Sequence, residues 1–290
     1  MARAIGARII FFCTGQEGTY FRDPAQRAVR QIAEAGLIPC GCPVVTCRDP
    51  DAEAEVAIQT MLDGYAGLVF DIAPSARGQS AGAARLGELM TQTELPQEVM
   101  FFCGPPDLSA NPDIPYAEMS RFCRGGFMPQ AYASFGWNPQ YTFDVIAYRE
   151  FRCWTRARGI ELPIYPVLRL YRNARGQEPL TIGEMRSWLG ALARYRPTFF
   201  SIRSPGTIPQ IVWPLLADIE MTPQGQIPPP GPALEGEYVT VLPGETISQL
   251  CARHACTKEQ FWIWNVHLWY NQGRPYEPEQ LEAGRVVRLR

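Results

Sequence analysis

Histidine and lysine are almost absent from this 290-residue chain, and their scarcity limits the chemistry that most of it can perform. The histidines are His254 and His267, and the only lysine is Lys258. Residues 1–237 therefore hold no histidine to activate a nucleophile or bind a metal, and no lysine to form a Schiff base. Catalysis in that part of the chain would have to use carboxylates, with arginine and amide side chains in support.

Strong positive charge and long apolar runs are missing as well. The net charge is -2 and the sequence pI is about 5.8, which argues against nucleic-acid binding driven by phosphate contacts. No apolar run approaches the roughly 18–20 residues that cross a membrane. The first residues also lack the apolar core and cleavage site of a signal peptide. We expect no nucleic-acid partner, no membrane span and no signal sequence.

Cysteine is present but does not follow a recognisable framework. The count of nine is odd, and the spacing differs from that of secreted disulfide-rich domains. Cys40, Cys42 and Cys47 approach metal-ligand spacing but lack a fourth ligand. The first two fall on a predicted buried strand, so small apolar core residues are the better interpretation. Cys251 and Cys256 could form a disulfide in an exported protein, but free thiols are the default. We expect neither a metal nor a cofactor.

The first 220 residues alternate short β-like runs with amphipathic helical stretches, which predicts an α/β fold built on a parallel sheet. Seven such units favour a TIM-like (β/α) barrel one strand short of eight, with a doubly wound sheet as the alternative. Either seven strands close the barrel, or residues 1–5 add a strand, or a neighbouring subunit covers the gap. Because an unpaired edge is costly, we expect self-association or a protein partner if no eighth strand forms. The predicted strands are 8–13, 37–45, 67–72, 98–103, 126–132, 163–170 and 197–203, and the predicted helices are 24–35, 50–62, 81–91, 116–123, 141–157, 182–195 and 208–217.

A change of composition divides the chain into two domains. Residues 221–237 are rich in proline and glycine, and the triple proline Pro228 to Pro230 predicts a semi-rigid spacer. The expected organisation is a barrel at 1–220, a linker at 221–237 and a small module at 238–290.

The small module has a recognisable pattern. YVTVLPGETISQLCARH begins at Tyr238 with an alternating strand, a Pro-Gly turn and a threonine at a helix N-cap position. A second helix through 261–264 ends at an asparagine, and GRVVRL closes the module as a strand. This order resembles the LysM family of glycan-binding modules, which implies a βααβ fold and recognition of peptidoglycan or another GlcNAc-containing glycan. The groove that the resemblance implies lies between Gly244, Glu245, Thr246 and Ile247 on one side and Asn265, His267 and Leu268 on the other.

One part of the module departs from the family pattern. Residues 266–283 are about twice as long as the corresponding LysM segment and carry Trp269, Tyr270 and Tyr276. This insertion could extend a surface on which sugars stack, dock a protein, or block the groove.

Three motifs of the first domain resemble lysozyme-like glycoside hydrolase barrels: GTYFRDPAQRAVRQIAEAGLIPCGCP, GLVFDIA and GGFMPQAY. In those barrels an Asp-x-Glu pair ends the third strand. The resemblance assigns the aspartate to Asp71, but the glutamate position is occupied by Ala73. Glu17 is the candidate replacement and Asp107 a further one, since both are expected on loops at the C-terminal face. The loss of the glutamate predicts a barrel that is not catalytic.

Polar and aromatic residues are predicted to surround the mouth of the barrel. Gln130 and Tyr132 belong to the MPQxY motif, and Arg169, Arg172 and Arg203 lie at predicted strand ends. An arginine and aromatic mouth could hold a sugar or an acidic peptide. The alternative, which we favour, is that the arginines pair with Asp71 and Glu17 as structural ion pairs.

Three functions remain open from the sequence. The favoured one is a cell-wall-associated or phage tail or baseplate protein, in which the LysM-like module binds glycan or docks a partner and the barrel is non-catalytic. The second is an active peptidoglycan-degrading glycoside hydrolase, which needs two carboxyl groups roughly 5–10 Å apart. The third is a bacterial envelope protein. The corresponding locations are the virion or the cell wall in the first case and the bacterial envelope in the third.

Overall fold

A computed structural model divides the chain into two compact units, Met1–Pro228 and Pro229–Arg290. Residues 221–237, the predicted linker, lie outside the described residues. The structure describes residues 6–108, 111–133, 138–143, 151–156, 158–160, 162–171, 178, 180–194, 197–203, 213–217, 219, 238–258, 261, 270–271, 274–275 and 286–288.

The first unit alternates strands and helices, as the sequence predicts. Its strands are β1 (Ile9–Phe12), β2 (Gly15–Gln16), β3 (Thr19–Tyr20), β4 (Ile38–Gly41), β5 (Val44–Val45), β6 (Leu68–Ile72), β7 (Met100–Gly104), β8 (Gly126–Tyr132), β9 (Val167–Arg169) and β10 (Ser201–Ile202). Its helices are α1 (Arg22–Glu34), α2 (Pro50–Leu62), α3 (Ser80–Thr91), α4 (Tyr116–Phe122), α5 (Pro139–Tyr141), α6 (Phe151–Arg156), α7 (Ile182–Arg194) and α8 (Trp213–Ala217).

The sheet is mostly parallel, and neighbouring strands follow chain order. The parallel ladder runs β1, β4, β6, β7, β8, β9 and β10, while β5 pairs with β6 and with β2 of the β2–β3 hairpin. The α/β class is therefore confirmed. A closed barrel is not: within the described residues β1 pairs only with β4 and β10 only with β9, so the ladder stays open. Residues 1–5, which one alternative uses as an additional strand, lie outside the described residues.

The open sheet is nevertheless strongly curved. In a flat sheet β1 and β10 would stand about 29 Å apart, six spacings of about 4.8 Å. Instead the Phe11 ring on β1 meets the Phe199 ring, two residues before β10, in an edge contact with centroids 6.0 Å apart. Because the sheet curves, side chains on or next to all seven strands of the ladder pack in one inner cluster. Its members are Phe11, Cys42, Val69, Phe101, Cys103, Met128, Tyr132, Tyr165, Val167 and Phe199.

Helices cover the outer face of the sheet. All five residues of β6 are buried, as expected for a parallel strand packed on both sides. Phe70 and Phe102 point outward from β6 and β7 and pack with Phe122 of α4, Phe127 of β8 and Phe151 of α6. A second outer cluster around Leu168 and Trp188 fixes α7 against β9. The inner cluster and the outer helices together hold the strand ends in place.

A buried carboxylate organises the loop after β5. Glu53 of α2 is 1% exposed and accepts hydrogen bonds from the Thr46 amide and hydroxyl at 2.7 and 2.9 Å and from the Cys47 amide at 3.0 and 3.1 Å. Burial raises the pKa of Glu53, and these hydrogen bonds offset part of the rise. They hold Cys47 at φ 58°. The Cys47 carbonyl oxygen then lies so close to Gly82 that the Cβ of any other residue at position 82 would be 1.8 Å from it. Glycine is therefore required where α3 crosses this loop.

The second unit pairs its first and last strands. Its elements are β11 (Tyr238–Thr240), α9 (Ile247–Arg253), β12 (Tyr270–Asn271), β13 (Arg274–Pro275) and β14 (Val286–Arg288), with β11 antiparallel to β14 and β12 antiparallel to β13. Val241, Ile247, Leu250, Cys251 and Phe261 form its core. Of the predicted second helix, Phe261 alone is described, and it is helical. The short β12–β13 hairpin falls in the insertion at 266–283.

None of the helices in the described ranges is long and apolar enough to cross a membrane.

Candidate functional site

Asp71 lies at the C-terminal end of β6, where the strand ends surround the mouth of the curved sheet. Its side chain is 10% exposed. Arg203 Nη1 donates to one carboxylate oxygen at 2.9 Å, and Gln130 Nε2 donates to the other at 3.2 Å. Both oxygens of Asp71 are thus held by residues that are distant in the sequence. An ion pair between Arg203 and Asp71 is what the sequence analysis expects if the arginines have a structural role.

Tyr132 and the two arginines form the rest of the mouth. Arg203 Nη1 also donates to the Tyr132 hydroxyl at 3.3 Å. Burial alone would lower the pKa of Arg203, but the negative charge of Asp71 and the hydrogen bonds to Asp71 and Tyr132 outweigh it and raise that pKa. The Arg169 guanidinium lies 4.7 Å from the ring centroids of Tyr132 and Tyr171, in cation–π contact with both. Four of the five mouth residues expected from the sequence thus lie in one connected group with Asp71; the fifth, Arg172, lies outside the described residues.

Three cysteines border the same mouth, and sequence reasoning did not recognise them as a group. Gln130 Nε2 lies 3.8 Å from the Cys103 sulfur, and Cys103 and Cys42 belong to the inner cluster. Burial raises the pKa of Cys13, Cys42 and Cys103, and the Asp71 charge raises each of them further. A partial signal was available, since Cys13 and Cys103 end predicted strands, whereas Cys42 lies within the predicted strand 37–45.

Glu17 is placed in the turn of the β2–β3 hairpin, apart from the mouth residues. It is exposed, at φ 50°, with its amide donating to the Val44 carbonyl at 3.1 Å and its carboxylate accepting from Gln16 Nε2 at 3.4 Å. Gln16 pairs with Val44 and Val44 with Asp71, so two strand spacings, about 10 Å, separate Gln16 from Asp71. This backbone separation is at the upper end of the carboxyl spacing in glycosidases.

Ala73 and Asp107 are the other positions considered for a second acid. Ala73, two residues after Asp71, donates its amide to the Val45 carbonyl at 2.9 Å and begins a short 3-10 turn. Asp107 is 9% exposed in the loop after β7, where its backbone carbonyl accepts a hydrogen bond from Asn111 Nδ2. Asp71 is the carboxylate that the described hydrogen bonds place at the mouth.

Metal binding finds no support in the described part of the chain. No group of three or more histidine, cysteine, aspartate or glutamate side chains is placed there to hold a metal ion.

In the second unit, the turn between β11 and α9 is fixed by its own side chains. Gly244 is exposed at φ 75°, a conformation that favours glycine. Glu245 accepts from the Leu242 amide at 2.9 Å and from two Arg253 nitrogens at 2.8 Å. The Leu242 amide and then Arg253 hold the pKa of Glu245 below its usual range. Thr246 caps α9 in a reciprocal capping box with Gln249.

The predicted glycan-binding residues divide into three groups. Gly244 is exposed on the turn, whereas the polar groups of Glu245 and Thr246 are engaged in holding it. Ile247 is 2% exposed in the core, so its side chain is not presented to a ligand. Leu242, which sequence analysis did not single out, is 51% exposed two residues before Gly244. Asn265, His267 and Leu268, the opposite side of the expected groove, lie outside the described residues.

Comparison with known protein families, curated proteins and solved structures finds no match to this chain. Its function has to be inferred from its own geometry and from the sequence patterns above.

Proposed function

We propose that this chain is a cell-wall-associated or phage tail or baseplate-type protein. Its second unit, a LysM-like module, binds peptidoglycan or another GlcNAc-containing glycan, and its first unit is a glycosidase-like barrel that does not catalyse hydrolysis. A bacterial envelope protein with the same two parts is the alternative location.

The observation that carries the non-catalytic assignment is the engagement of Asp71. Hydrolysis of a glycosidic bond uses two carboxyl groups, one as acid and one as base or nucleophile. Arg203 and Gln130 bind both oxygens of Asp71, and Ala73 stands where the family pattern has the second carboxyl group. Both oxygens of Asp71 are therefore already engaged in hydrogen bonds, and the partner carboxyl group of the family pattern is missing.

Support for glycan binding comes from the turn before α9. Its Pro-Gly sequence, the antiparallel pairing of β11 with β14 and the capping box at Thr246 agree with the local structure that a LysM-like module requires. The turn presents Leu242, Pro243 and Gly244 to solvent. Exposed apolar side chains and backbone groups next to each other suit the face of a pyranose ring and its N-acetyl amide.

Co-sedimentation of the full chain with purified peptidoglycan tests the binding half of the proposal. The variant Leu242→Glu places a charge on the exposed turn and should weaken binding by about tenfold, which corresponds to roughly 1.4 kcal/mol. Leu62→Glu is the matched control, because Leu62 is 74% exposed at the end of α2 in the other unit. Equal binding by both variants, or no sedimentation of the wild type, would contradict glycan binding at this turn and favour a purely docking role.

Release of reducing ends from the same peptidoglycan tests the catalytic half. We expect no release by the wild type and no difference for Asp71→Asn. Release that Asp71→Asn abolishes would overturn the proposal and identify an active glycoside hydrolase.

Self-association is part of the same proposal. In the described part of the sheet, β1 and β10 each have one pairing partner, which leaves a parallel edge on either side of the opening. Covering those edges with a second copy or a partner protein would remove the cost of leaving them unpaired. Sedimentation velocity of the purified chain should therefore detect a species larger than 32.5 kDa, and a monodisperse monomer would contradict it.

A further inference from the structure

We propose that Cys13 and Cys42 are a redox modification site, a pair of thiols at the rim of the mouth that closes reversibly to a disulfide. The inference is independent of the proposed function, since it concerns the sheet of the first unit and not its ligand.

The register of β1 and β4 brings the two cysteines side by side. The strands pair from Ile9 with Ile38 to Phe12 with Gly41, and the Cys42 amide donates to the Phe12 carbonyl at 2.7 Å. Continuing that register by one residue sets Cys13 beside Cys42 on adjacent strands. Neighbouring strands are about 4.8 Å apart. Disulfides join Cα atoms about 4.4–6.8 Å apart, so the backbone is already within range.

Both side chains lie on the inner face of the curved sheet. Side chains alternate along a strand, and Phe11 points inward while Phe12 packs outward against Ala25 and Val29 of α1. Cys13, the next residue, therefore returns to the inner face, where Cys42 lies in the inner cluster. The electrostatics agree with this placement: the charges of Asp71 and Arg203 act on the pKa of both thiols, and the charge of Cys13 acts on that of Cys42.

Other thiols near the mouth are less well placed to pair with Cys42. Cys103 lies on β7, and β6 separates that strand from β4, so its backbone is about 10 Å away along the sheet. Cys40 lies on the same strand as Cys42 and pairs in register with Phe11. Of the three, Cys13 alone has its backbone directly beside Cys42 on a paired strand.

Exposure decides which thiol reacts first. Cys13 is exposed, whereas Cys42 is half-buried. With a small disulfide oxidant such as oxidised glutathione, the Cys13 thiolate attacks one oxidant sulfur and releases the other half as a thiol, leaving a mixed disulfide. Cys42, whose raised pKa keeps it mainly in the thiol form, loses its proton to solvent, attacks the Cys13 sulfur and displaces the second half. The protein loses two electrons and two protons, and the oxidant gains them as it becomes two thiols.

Formation of this disulfide would restrain the strand that borders the opening of the sheet. β1 borders the opening of the sheet, and the bond would join it covalently to β4 beside the ion pair of Asp71 and Arg203. Oxidation would thus fix the edge strand next to the mouth, and a thiol reductant would release it.

The full chain, incubated with oxidised or reduced glutathione, tests the proposal by mass spectrometry. Free thiols are alkylated after incubation, and non-reduced peptides are then mapped. The chain has nine cysteines, and oxidation should lower the number of alkylated cysteines by two. A disulfide-linked peptide pair should join Cys13 to Cys42, and dithiothreitol should restore both thiols.

Substitutions identify the pair. Cys13→Ser and Cys42→Ser should each abolish the linked peptide pair, whereas Cys40→Ser and Cys103→Ser should leave it intact. Because the linked peptides are detected directly in the wild type, the result does not depend on the folding of any variant. A wild type that keeps all its thiols, or one in which Cys13 is linked to a cysteine other than Cys42, would overturn the proposal.

Discussion

The ion pair between Arg203 and Asp71 leads to the most specific prediction, the effect of Arg203→Ala on the stability of the first unit. The Asp71 side chain is 10% exposed, so removing its cation leaves a buried carboxylate held by Gln130. Breaking a fully buried ion pair from one side costs about 3–5 kcal/mol. Because the Arg203 side chain is 42% exposed, solvent already screens part of the interaction, and we expect a cost of about 2 kcal/mol.

A double-mutant cycle separates the ion pair from other effects of the substitution. Asp71→Asn removes the negative charge and keeps the shape of the side chain, so Arg203→Ala should cost much less in that background. The expected coupling free energy is about 1–2 kcal/mol. Arg85→Ala is the matched control, because Arg85 pairs with Asp51 at 3.1 Å on the surface with both side chains well exposed. Its cost should stay below about 0.5 kcal/mol.

Denaturant unfolding and the thermal midpoint of the first unit measure these differences. For a unit of this size, about 2 kcal/mol corresponds to a drop of roughly 4–8 °C in the midpoint. A coupling near zero, or a loss for Arg203→Ala no larger than for Arg85→Ala, would refute the view that the pair holds the mouth together.

Other predictions concern the packing at Gly82, the cap of α9 and the buried carboxylate of Glu53. Gly82→Ala should destabilise the first unit by about 3 kcal/mol in denaturant unfolding, because the new Cβ would stand 1.8 Å from the Cys47 carbonyl oxygen. Gly190→Ala in α7 meets no atom within 4 Å and should stabilise the unit by about 0.5–1 kcal/mol; equal effects would contradict the packing at Gly82. Thr246→Ala should remove the cap of α9 and cost about 1 kcal/mol, seen as a lower thermal midpoint of the second unit, and an unchanged midpoint would count against it. Burial raises the pKa of Glu53 in the folded state, so stability should be favoured below its unfolded pKa and lost as pH rises through the folded pKa. Unfolding measured from pH 4 to 7 should therefore show the wild type losing stability relative to Glu53→Gln as pH rises, and parallel curves would contradict the shift.

The regular elements of the first unit could be predicted closely because their periodicity is strong. The prediction of a helix at 50–62 matches α2, and that of a strand at 126–132 matches β8. The run at 37–45 was predicted as one strand, but it splits into β4 and β5 around Pro43, which has no amide hydrogen for the ladder. The β2–β3 hairpin was missed because each strand has two residues, too few for an alternating pattern.

The mouth was predicted in part, since strand-end positions can be read from the sequence but side-chain partners cannot. Gln130 and Arg203 bind Asp71, Tyr132 binds Arg203, and Arg169 stacks on Tyr132, because strand order follows chain order and inward positions alternate. The gap between β1 and β10 depends on curvature over the whole sheet, which no local pattern encodes.

The thiols at the mouth escaped sequence analysis for a different reason. Cys13 and Cys42 are 29 positions apart in the chain, and only the register of β1 with β4 makes them neighbours. Register depends on the packing of the whole sheet and not on the cysteines themselves. Free cysteine is also a common core residue, so composition alone favoured the apolar interpretation.

The turn before α9 has a consequence for affinity that follows from its internal hydrogen bonds. Glu245 joins the Leu242 amide to Arg253, and Thr246 and Gln249 cap each other, so the backbone of the turn is already ordered in the free chain. Association normally loses conformational freedom at roughly 0.5–1.5 kcal/mol per side chain that becomes immobile. A ligand that binds here meets a preorganised surface, and the entropic cost of ordering that surface is borne during folding instead of during recognition.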